Sequence, residues 1–435
     1  MLLILIGSVA AIVTFLLVKF NIFKSIHGQR AKSWGIFFLP LVYTLLILFL
    51  FPGNKTVVFA SLIILGISDS LAAIFGTLTA KKYYQLTGDN KSITGSAIFF
   101  LSTFVIVVFL SGTQFSQYEL LIHLVEPLDV LLAAISIGLI LTAIEAISSK
   151  GTDNLTVPLF GAILLLAMNE NPGSEFVLNF FTGIIMAALV ALLSIKYKFL
   201  TPSGSTATFI LAGFIFGFGG WKWSIPIMAF FILSSILSKV RKNANKEVET
   251  YFEKTGTRDY LQVFANGGLG GLLVIYNQFS YSELNYYIYL ASLAAVCADT
   301  WATEIGTLRK RNTYNILNFK KIEQGISGGI SFVGTLGAFL GSLVIALSGF
   351  FWIEANWFYY FLLMIIAGLF GSFFDSLLGA TFQSQGQCSV CSKITEKEIH
   401  CGEATTHYRG VKWLNNDAVN FLAGVSSGLF ILLIF

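Results

Sequence analysis

The chain places nearly all of its charged residues in short stretches between long apolar runs. Only 11% of its residues are charged, whereas 55% are hydrophobic. A water-soluble surface carries more charge than this, and a helix that crosses the hydrocarbon core of a bilayer needs roughly 20 apolar residues. Because backbone groups in lipid must hydrogen-bond within their own segment, the sequence predicts an all-α polytopic membrane protein.

Dividing the apolar runs at this length predicts about fourteen transmembrane helices. The predicted segments are residues 1–18, 35–52, 56–77, 95–112, 127–147, 154–170, 174–195, 205–219, 224–239, 262–278, 284–306, 326–351, 357–382 and 418–435. The first segment has no basic residues ahead of its apolar stretch, so we expect a retained helix and not a cleaved signal peptide.

Almost all of the basic residues lie on one face of this arrangement. All of the 27 lysines and arginines except Lys55 and Lys222 fall at or after the ends of odd-numbered helices. Positively charged loops stay cytoplasmic, so we expect both chain ends outside the cytoplasm of a bacterial plasma membrane. The net charge of +4 follows from this loop bias and gives no reason to expect a nucleic-acid partner.

One segment of the chain occurs twice. Residues 69–95 reappear 230 positions later as residues 299–325, with eight identities where roughly two are expected by chance. The identical pairs are Asp69/Asp299, Ala72/Ala302, Gly76/Gly306, Thr77/Thr307, Leu78/Leu308, Tyr84/Tyr314, Lys91/Lys321 and Gly95/Gly325. The copies lie eight predicted helices apart, which makes the two repeats parallel. We place the domain boundary between residues 1–172 and 173–435.

Each repeat contains three acidic residues at predicted cytoplasmic helix ends. Asp69 and Asp299 end otherwise apolar segments, where a carboxylate is costly unless it is paired, hydrated or bound to a cation. The repeat offset also pairs Glu145 with Asp375, and a looser match pairs Asp153 with Asp417. Two or three convergent carboxylates are typical of a Mg²⁺ site that substrate phosphates complete. The alternative is an ordinary helix-end carboxylate in the headgroup region.

A lysine follows each aspartate at a spacing of 22 residues. Lys91 and Lys321 are predicted to begin helices, and helix starts offer free N–H groups to a phosphate. Small and hydroxyl residues that allow close phosphate approach lie nearby: Gly76, Gly95, Ser96, Gly306, Ser327, Gly328 and Gly329. A lysine at a membrane boundary is often only a topology anchor, but the repeated spacing favours a phosphate site.

The second half has additional polar residues. Its loop before Lys321 carries the stronger positive charge, with Arg309, Lys310, Arg311 and Lys320. A more positive loop would attract an acceptor lipid that already bears a phosphate. The general preference for basic residues in cytoplasmic loops explains the higher charge equally well. Glu304 stands where the first half has Ile74, and Arg258, Gln262 and Asn266 share one helical face. That row either lines a polar site or pairs with a neighbouring helix.

A cysteine and histidine cluster lies in the predicted cytoplasmic loop at about residues 384–416. Cys388 and Cys391 have C-x2-C spacing, and His400 and Cys401 follow. Cytosolic thiols argue against a disulfide, and three cysteines with one histidine suit a small structural zinc site. Free thiols on a polar loop are the alternative. His407 follows later, and Cys297 lies within a predicted helix.

These motifs carry a family resemblance. The first half, with ISDSLAAIFG, KSITGS and SSKGTDNL, resembles the CTP-dependent dolichol and phytol kinases and, beyond them, the membrane cytidylyltransferases. It has Ser68 before Asp69 where those kinases have glycine. Residues from about 175 to 435 resemble the phytyl-phosphate-kinase-like, or transmembrane protein 19-like, family. The segments that match are SGSTATFILAG, QVFANGG, ADTWATEIGTL, QGISGGISFVGTLG, DSLLGATFQ, C-x2-C, HCGE and NNDAVN.

The resemblance implies a fusion of two successive lipid kinases. The first half would phosphorylate a long-chain isoprenoid alcohol, and the second would convert the monophosphate to the diphosphate. The expected phosphoryl donor is CTP or ATP, with Mg²⁺ at Asp69, Glu145 and Asp153 and at Asp299, Asp375 and Asp417. Lys91, Lys321 and Glu304 would complete the catalytic groups, with Gln262 and Asn266 at the nucleotide. Nucleotidyl transfer to a lipid phosphate, or a membrane transporter, is the alternative.

Overall fold

The structure is a computed structural model that describes residues 1–20, 22, 33–112, 124, 126–245, 257–353 and 356–435. Over these residues the chain is mainly helical, so the predicted helical class is confirmed. The helices are α1 (Leu2–Lys19), α2 (Gly35–Phe49), α3 (Lys55–Ile63), α4 (Ser70–Leu78), α5 (Ile93–Gly112), α6 (Pro127–Ile147), α7 (Asp153–Glu170), α8 (Ser174–Lys196), α9 (Pro202–Ala244), α10 (Tyr260–Phe279), α11 (Glu283–Gly306), α12 (Phe332–Gly349), α13 (Trp357–Thr381) and α14 (Asn416–Ile434).

The structure interrupts one predicted helix with a π-helical stretch and joins two other predicted helices into one. A π-helical stretch, Ile64–Asp69, joins α3 and α4 into one rod that matches the predicted helix over residues 56–77. The predicted helices at 205–219 and 224–239 are the two halves of α9, which bends at Gly220. Gly220 has φ of 56°, a left-handed conformation that glycine adopts without steric cost. The chain therefore changes direction there without an intervening loop.

Nine helices of the described part of the chain are long and apolar enough to cross a membrane. They are Leu2–Lys19, Lys55–Leu78, Ile93–Ser111, Pro127–Ile147, Ser174–Lys196, Pro202–Ala244, Phe332–Trp352, Trp357–Thr381 and Asn416–Ile434. The larger number of about fourteen spans stays a prediction. Many large apolar side chains on these helices are exposed, as expected for a surface that faces lipid.

The chain divides into two compact units, unit 1 (Met1–Ile185) and unit 2 (Met186–Phe435). In unit 1, α5 packs on α4 and α6, and α7 packs on α2, α3 and α6. In unit 2, α11 is central and contacts α9, α10, α12, α13 and α14. Small residues allow these close approaches: Gly341 and Gly371 lie against Cys297 and Ala295 of α11, with no room for a side chain.

Short β-strands that the sequence did not predict follow three of the helices. In unit 1, β1 (Tyr83–Gln85) pairs antiparallel with β2 (Asn90–Ser92). In unit 2, β3 (Thr313–Asn315) lies between β4 (Lys321–Ile322) and β5 (Gly329–Ile330). A second group follows α13: β6 (Gln385–Gln387), β7 (Ile394–Thr395), β8 (Ile399–His400), β9 (Glu403–Ala404) and β10 (Thr406–Arg409). These strands hold the polar loops at the helix ends.

Candidate functional site

In unit 1, the three predicted carboxylates lie together. Asp69 ends the π-helical stretch, Glu145 lies in the last turn of α6, and Asp153 begins α7. One oxygen of each lies within 4.8 Å of an oxygen of the other two. Single π-helical turns often occur at functional sites because they redirect a side chain. The structure thus brings Asp69, Glu145 and Asp153 into one cluster, the unit 1 acidic cluster.

Lys91 inserts its ammonium group into this cluster. It lies in β2, directly before α5, and its Nζ contacts Glu145 Oε1 at 2.5 Å and Asp153 Oδ2 at 3.3 Å. Burial lowers the pKa of Lys91, but Glu145 and Asp153 outweigh that effect and hold the pKa above its usual value. The lysine is therefore charged, and it already neutralises part of the cluster.

The small residues beside Lys91 pack the start of α5 against α4. A side chain at Gly76 would meet Ser92 Oγ at 2.7 Å and Gly95 Cα at 3.4 Å. Ser92 Oγ accepts a hydrogen bond from the Gly95 amide at 3.0 Å. Ser96 shares a 2.6 Å hydrogen bond with Tyr84, and burial raises the pKa of that phenol. Gly76 and Gly95 thus hold the hairpin close to the acidic cluster.

Unit 2 has the same local arrangement of small residues, but one of them lies nine residues later in the sequence than the repeat predicts. A side chain at Gly306 would meet Gly334 Cα at 3.1 Å, and Ser331 Oγ accepts a hydrogen bond from the Gly334 amide at 3.0 Å. Gly334 therefore takes the place of Gly95. The predicted pairing of Gly95 with Gly325 was wrong, because nine further residues, including β5, separate the hairpin from α12. For the same reason α12 begins at Phe332 and not at residue 326.

Lys321 does not occupy the position predicted for it. It lies opposite Tyr314 in the β3–β4 hairpin, as Lys91 lies opposite Tyr84 in unit 1. The prediction that it begins α12 was wrong, because α12 starts after the insertion. Lys321 is exposed, and it forms no ion pair with a carboxylate within the described residues. The neighbouring basic residues Arg309, Lys310, Arg311 and Lys320 are exposed as well.

The carboxylates of unit 2 form a second group, the unit 2 acidic cluster: Asp299, Asp375 and Glu396. The Asp299 and Asp375 carboxyl groups lie within hydrogen-bonding reach of each other, and Glu396 lines the same cavity as both. Asp375 is 9% exposed, and its Oδ2 has no hydrogen-bond partner within the part of the chain that the structure describes. A buried carboxylate oxygen of this kind calls for a cation or a proton.

Sequence reasoning missed Glu396. It follows β7 in the loop that carries the cysteines, and its Oε1 accepts hydrogen bonds from Ser327 and, at 2.9 Å, from Gln383. Ser327, Gly328 and Gly329 belong to the inserted segment before α12. Together with Asp299, Asp375 and Glu396 they line a cavity with an empty volume of about 870 Å³, the loop cavity. The signal in the sequence was an acidic pair in the segment TEKE (residues 395–398), but it had no counterpart in the first repeat.

A larger polar cavity shares Asp299 and Glu396 with the loop cavity. It has an empty volume of about 1790 Å³ and lies where α9 ends, α10 begins, α11 ends and α14 begins. Its acidic lining residues are Asp299, Glu304, Glu396 and Asp417, and its basic ones are Lys198, Lys239, Arg241, Lys242 and Arg258. Opposite charges thus line one cavity, as a complex of a cation and phosphates requires.

Two predicted polar groups line this cavity in different ways. Glu304 accepts hydrogen bonds from Arg241 Nε at 2.7 Å and from Ser238 Oγ at 2.5 Å, which makes it part of a buried ion pair. Arg258, Gln262 and Asn266 all line the polar cavity, but only Gln262 and Asn266 share a helical face, because α10 begins at Tyr260, after Arg258. Asn266 Oδ1 also accepts a hydrogen bond from Asn420 of α14 at 3.3 Å. The row therefore both lines the cavity and contacts a neighbouring helix.

The cysteine and histidine residues of the loop converge. One ligand atom each from Cys388, Cys391, His400 and Cys401 lies within 4.8 Å of the others, the distance range of a metal's ligand shell. The strongest effect on Cys388 is a backbone hydrogen bond from Cys391, and the pKa of this thiol is lowered to about 6. Desolvation raises the pKa of Cys401 to about 11. The donors fit a structural zinc ion, whereas His407 lies in β10 outside the group.

Comparisons with known proteins agree with the membrane class. The family described as "Integral membrane protein DUF92" matches residues 185–428. Protein PGR of Arabidopsis thaliana is 29% identical over 265 residues, which are 55% of this chain and 91% of that protein. Protein VTE6, chloroplastic, of the same plant is 28% identical over 234 residues, 51% of this chain and 61% of its own length.

A relative with an enzyme name comes from a cyanobacterium. A phytol kinase of Synechocystis is 29% identical over 163 residues, which are 37% of this chain and 66% of that protein. No solved structure matches the chain.

Proposed function

The chain belongs to the integral membrane protein family DUF92, and on that premise we propose that it is a membrane kinase acting on long-chain isoprenoid lipids. The similarity to a phytol kinase supports the reaction class. The observation that carries the proposal is the polar cavity of unit 2, whose acidic and basic lining residues face one space. We assign phosphorylation of an isoprenyl monophosphate to unit 2 and phosphorylation of the alcohol to unit 1.

The unit 2 acidic cluster would hold Mg²⁺. Mg²⁺ prefers oxygen ligands and binds through one or two carboxylates together with substrate phosphates. Asp299 and Asp375 are the proposed ligands, because their carboxyl groups are adjacent and the buried one, that of Asp375, has an oxygen without a hydrogen-bond partner in the described structure. Asp417 and Glu396 line the same space as further acidic groups. When bound, Mg²⁺ would supply charge neutralisation for the nucleotide's phosphates.

The basic residues of the polar cavity would bind the nucleotide. Lys239 and Lys242 line the cavity near the end of α9, whereas the guanidinium of Arg241 is held by Glu304. Catalysis of phosphoryl transfer depends mainly on positioning and charge stabilisation. We therefore assign Lys239 and Lys242 the role that the sequence suggested for Lys321, and we assign Glu304 the positioning of Arg241.

In the proposed reaction an acceptor oxygen forms a bond to the γ-phosphorus of CTP or ATP. The bond between that phosphorus and the β,γ-bridging oxygen breaks, and the nucleoside diphosphate leaves. In unit 2 the acceptor is a phosphate oxygen of the monophosphate, so no proton has to be removed. In unit 1 the alcohol must lose its proton, and the unit 1 acidic cluster offers carboxylates as acceptors. The Lys91 ammonium would contact the transferred phosphoryl group there.

The cysteine and histidine group has a separate, structural role in this proposal. We assign it one Zn²⁺, held by Cys388, Cys391, His400 and Cys401. Glu396 lies between β7 and β8, in the same loop as these residues. By holding this loop in one conformation, the zinc ion would keep Glu396 beside Asp299.

The test uses purified full-length protein in detergent with Mg²⁺, an isoprenoid alcohol or its monophosphate, and nucleotide labelled on either the α- or the γ-phosphate. A kinase transfers only the γ label to the lipid, in one step from the alcohol and in a second from the monophosphate. Transfer of the α label would instead establish nucleotidyl transfer. No label in the lipid from either CTP or ATP would refute the proposed reaction.

A further inference from the structure

Unit 2 contains an apolar cavity that the phosphoryl-transfer chemistry does not use. It has an empty volume of about 760 Å³, and almost all of its lining atoms are apolar. Its walls come from α8, α9 and α10, with Met186, Leu211, Met228 and Phe231 among the lining residues. Part of this space is open to the surroundings, and protein interiors leave few voids larger than a water molecule, so the gap between the three helices is a feature of their packing.

The bend of α9 builds this cavity. Leu211, Ala212 and Ile215 line it from the half of α9 before Gly220, and Ile227 and Phe230 line it from the half after. The left-handed backbone at Gly220 kinks the helix between these two halves. On the third wall, Gly267 of α10 has no side chain, and a Cβ there would meet Leu211 Cδ2 at 2.6 Å. The cavity is thus part of the architecture of unit 2.

The same three residues line the apolar cavity and the polar cavity. They are Arg258, which lies just before α10, and Gln262 and Asn266 in the first turns of that helix. The Arg258 guanidinium lies 5.6 Å from the ring centre of Phe230 and 6.0 Å from that of Phe231, at the apolar wall. A ligand that crosses this boundary needs an apolar body on one side and an anionic head on the other.

We propose that the apolar cavity binds the hydrocarbon chain of an isoprenyl monophosphate, with its phosphate at Arg258. The inference rests on the proposed function and adds to it the location and orientation of the lipid. In this arrangement the phosphate enters the polar cavity, which Asp299 and Lys239 also line. Arg258 binds it through a planar, permanently charged group that suits phosphate geometry. The residues of α8 and α9 then determine which chain lengths fit.

The test measures lipid binding without nucleotide, so that it does not depend on catalysis. Full-length protein in nanodiscs is titrated with a C20 isoprenyl monophosphate and with its C5 counterpart. We expect the C20 lipid to bind at least about tenfold more tightly, because apolar burial increases with chain length. The Ala212→Phe variant fills the cavity and should weaken C20 binding by about tenfold while leaving C5 binding within about twofold. The matched control is Ala188→Phe, at a half-buried position of α8 outside the cavity lining.

Arg258→Gln tests the phosphate contact. It should weaken binding of the C20 monophosphate by roughly tenfold or more and leave the weaker binding of the C20 alcohol unchanged. A photoreactive C20 monophosphate provides a second measurement if a variant fails to fold. It should label peptides from α8, α9 and α10 of the wild-type protein, and unlabelled C20 monophosphate should compete.

Three results would overturn the inference. They are wild-type C20 affinity in Ala212→Phe, labelling confined to other helices, and equally effective competition by phosphatidic acid. If these occur while the γ label still reaches the lipid, the cavity assignment fails and the kinase proposal stands. Saturable binding at α8–α10 without any phosphoryl transfer would instead refute the kinase and leave a lipid-binding site.

Discussion

Replacing Lys91 tests how the unit 1 acidic cluster is stabilised. The Lys91→Met substitution keeps most of the side-chain volume and removes the positive charge. The ammonium contacts Glu145 and Asp153, and the three side chains are only 10%, 7% and 14% exposed. Solvent therefore screens these ion pairs very little. The variant must bury at least two carboxylates without the cation that contacts them.

The expected loss follows from that burial. Removing one partner of a buried ion pair costs about 3–5 kcal/mol, and the low exposure places this site in that range. Adding Glu145→Gln to Lys91→Met should recover part of the loss, with a coupling free energy on the order of 1–3 kcal/mol, because one of the two charges is then absent.

Hydrogen exchange followed by mass spectrometry measures this loss of stability in the intact protein. Peptides from α6 and α7 report the free energy of opening around Glu145 and Asp153. The matched control is Lys321→Met, at the same register position of the second hairpin, where the lysine is exposed. On peptides from α12 and α13 it should change the free energy of opening by no more than about 0.5 kcal/mol.

The stabilisation that Lys91 provides should be lost as the pH rises. Burial alone would lower the pKa of Lys91, but Glu145 and Asp153 raise it above its usual value. A raised pKa means that the stabilisation is complete below the unfolded-state pKa of about 10.4 and is lost as the pH rises through the folded-state value. The difference between wild type and Lys91→Met should stay constant from pH 7 to pH 9. Equal opening free energies, or a difference that vanishes between pH 7 and pH 9, would show that the Lys91 ammonium does not stabilise the unit 1 acidic cluster.

Further predictions concern unit 2 and its loop. Asp375→Asn should lower the rate of diphosphate formation from the monophosphate by roughly 100-fold or more, whereas Asp69→Asn should leave that step unchanged; lipid chromatography measures both. Elemental analysis should find one zinc ion per chain, and Cys391→Ser should reduce this occupancy; a zinc-free wild-type protein would contradict the zinc assignment. Zinc removal and Glu396→Gln should each slow diphosphate formation by roughly tenfold, and combining them should add little, because both act through the same carboxylate. Chelation of Mg²⁺ should abolish the reaction reversibly; full activity in excess EDTA would exclude the magnesium role.

The helices of this chain could be predicted from the sequence because each is a long apolar run with polar ends. Most predicted runs correspond to helices of the structure, although one run covers both α3 and α4, two runs form α9, and α12 begins later than predicted, after its capping residue Ser331. The convergence of Cys388, Cys391, His400 and Cys401 was also predictable, because C-x2-C spacing places two thiols in one tight turn. Within unit 1, the prediction from the repeat that Asp69, Glu145 and Asp153 lie close together is confirmed.

Other features depend on the tertiary arrangement and could not be predicted. A constant spacing of 230 residues between the two copies cannot reveal the nine-residue insertion before α12. Because of this insertion, Gly334 takes the place of Gly95, and Lys321 lies outside the cavities. Glu396 lies in a polar loop, and only folding of that loop brings it near Asp299. The apolar cavity arises from the bend at Gly220, which the sequence showed only as a gap between two apolar runs. Spacing along the chain specifies helices, whereas the cavities require knowledge of how the helices pack.

The most direct test of the kinase account is a comparison of wild-type protein with Asp299→Asn and Asp69→Asn. Each is supplied with Mg²⁺, γ-labelled CTP and either a C20 alcohol or its monophosphate. We expect labelled diphosphate from the monophosphate in wild type and in Asp69→Asn, whereas Asp299→Asn should form only labelled monophosphate, from the alcohol. Diphosphate formation at the wild-type rate by Asp299→Asn would contradict the central claim that unit 2 carries the second phosphoryl transfer.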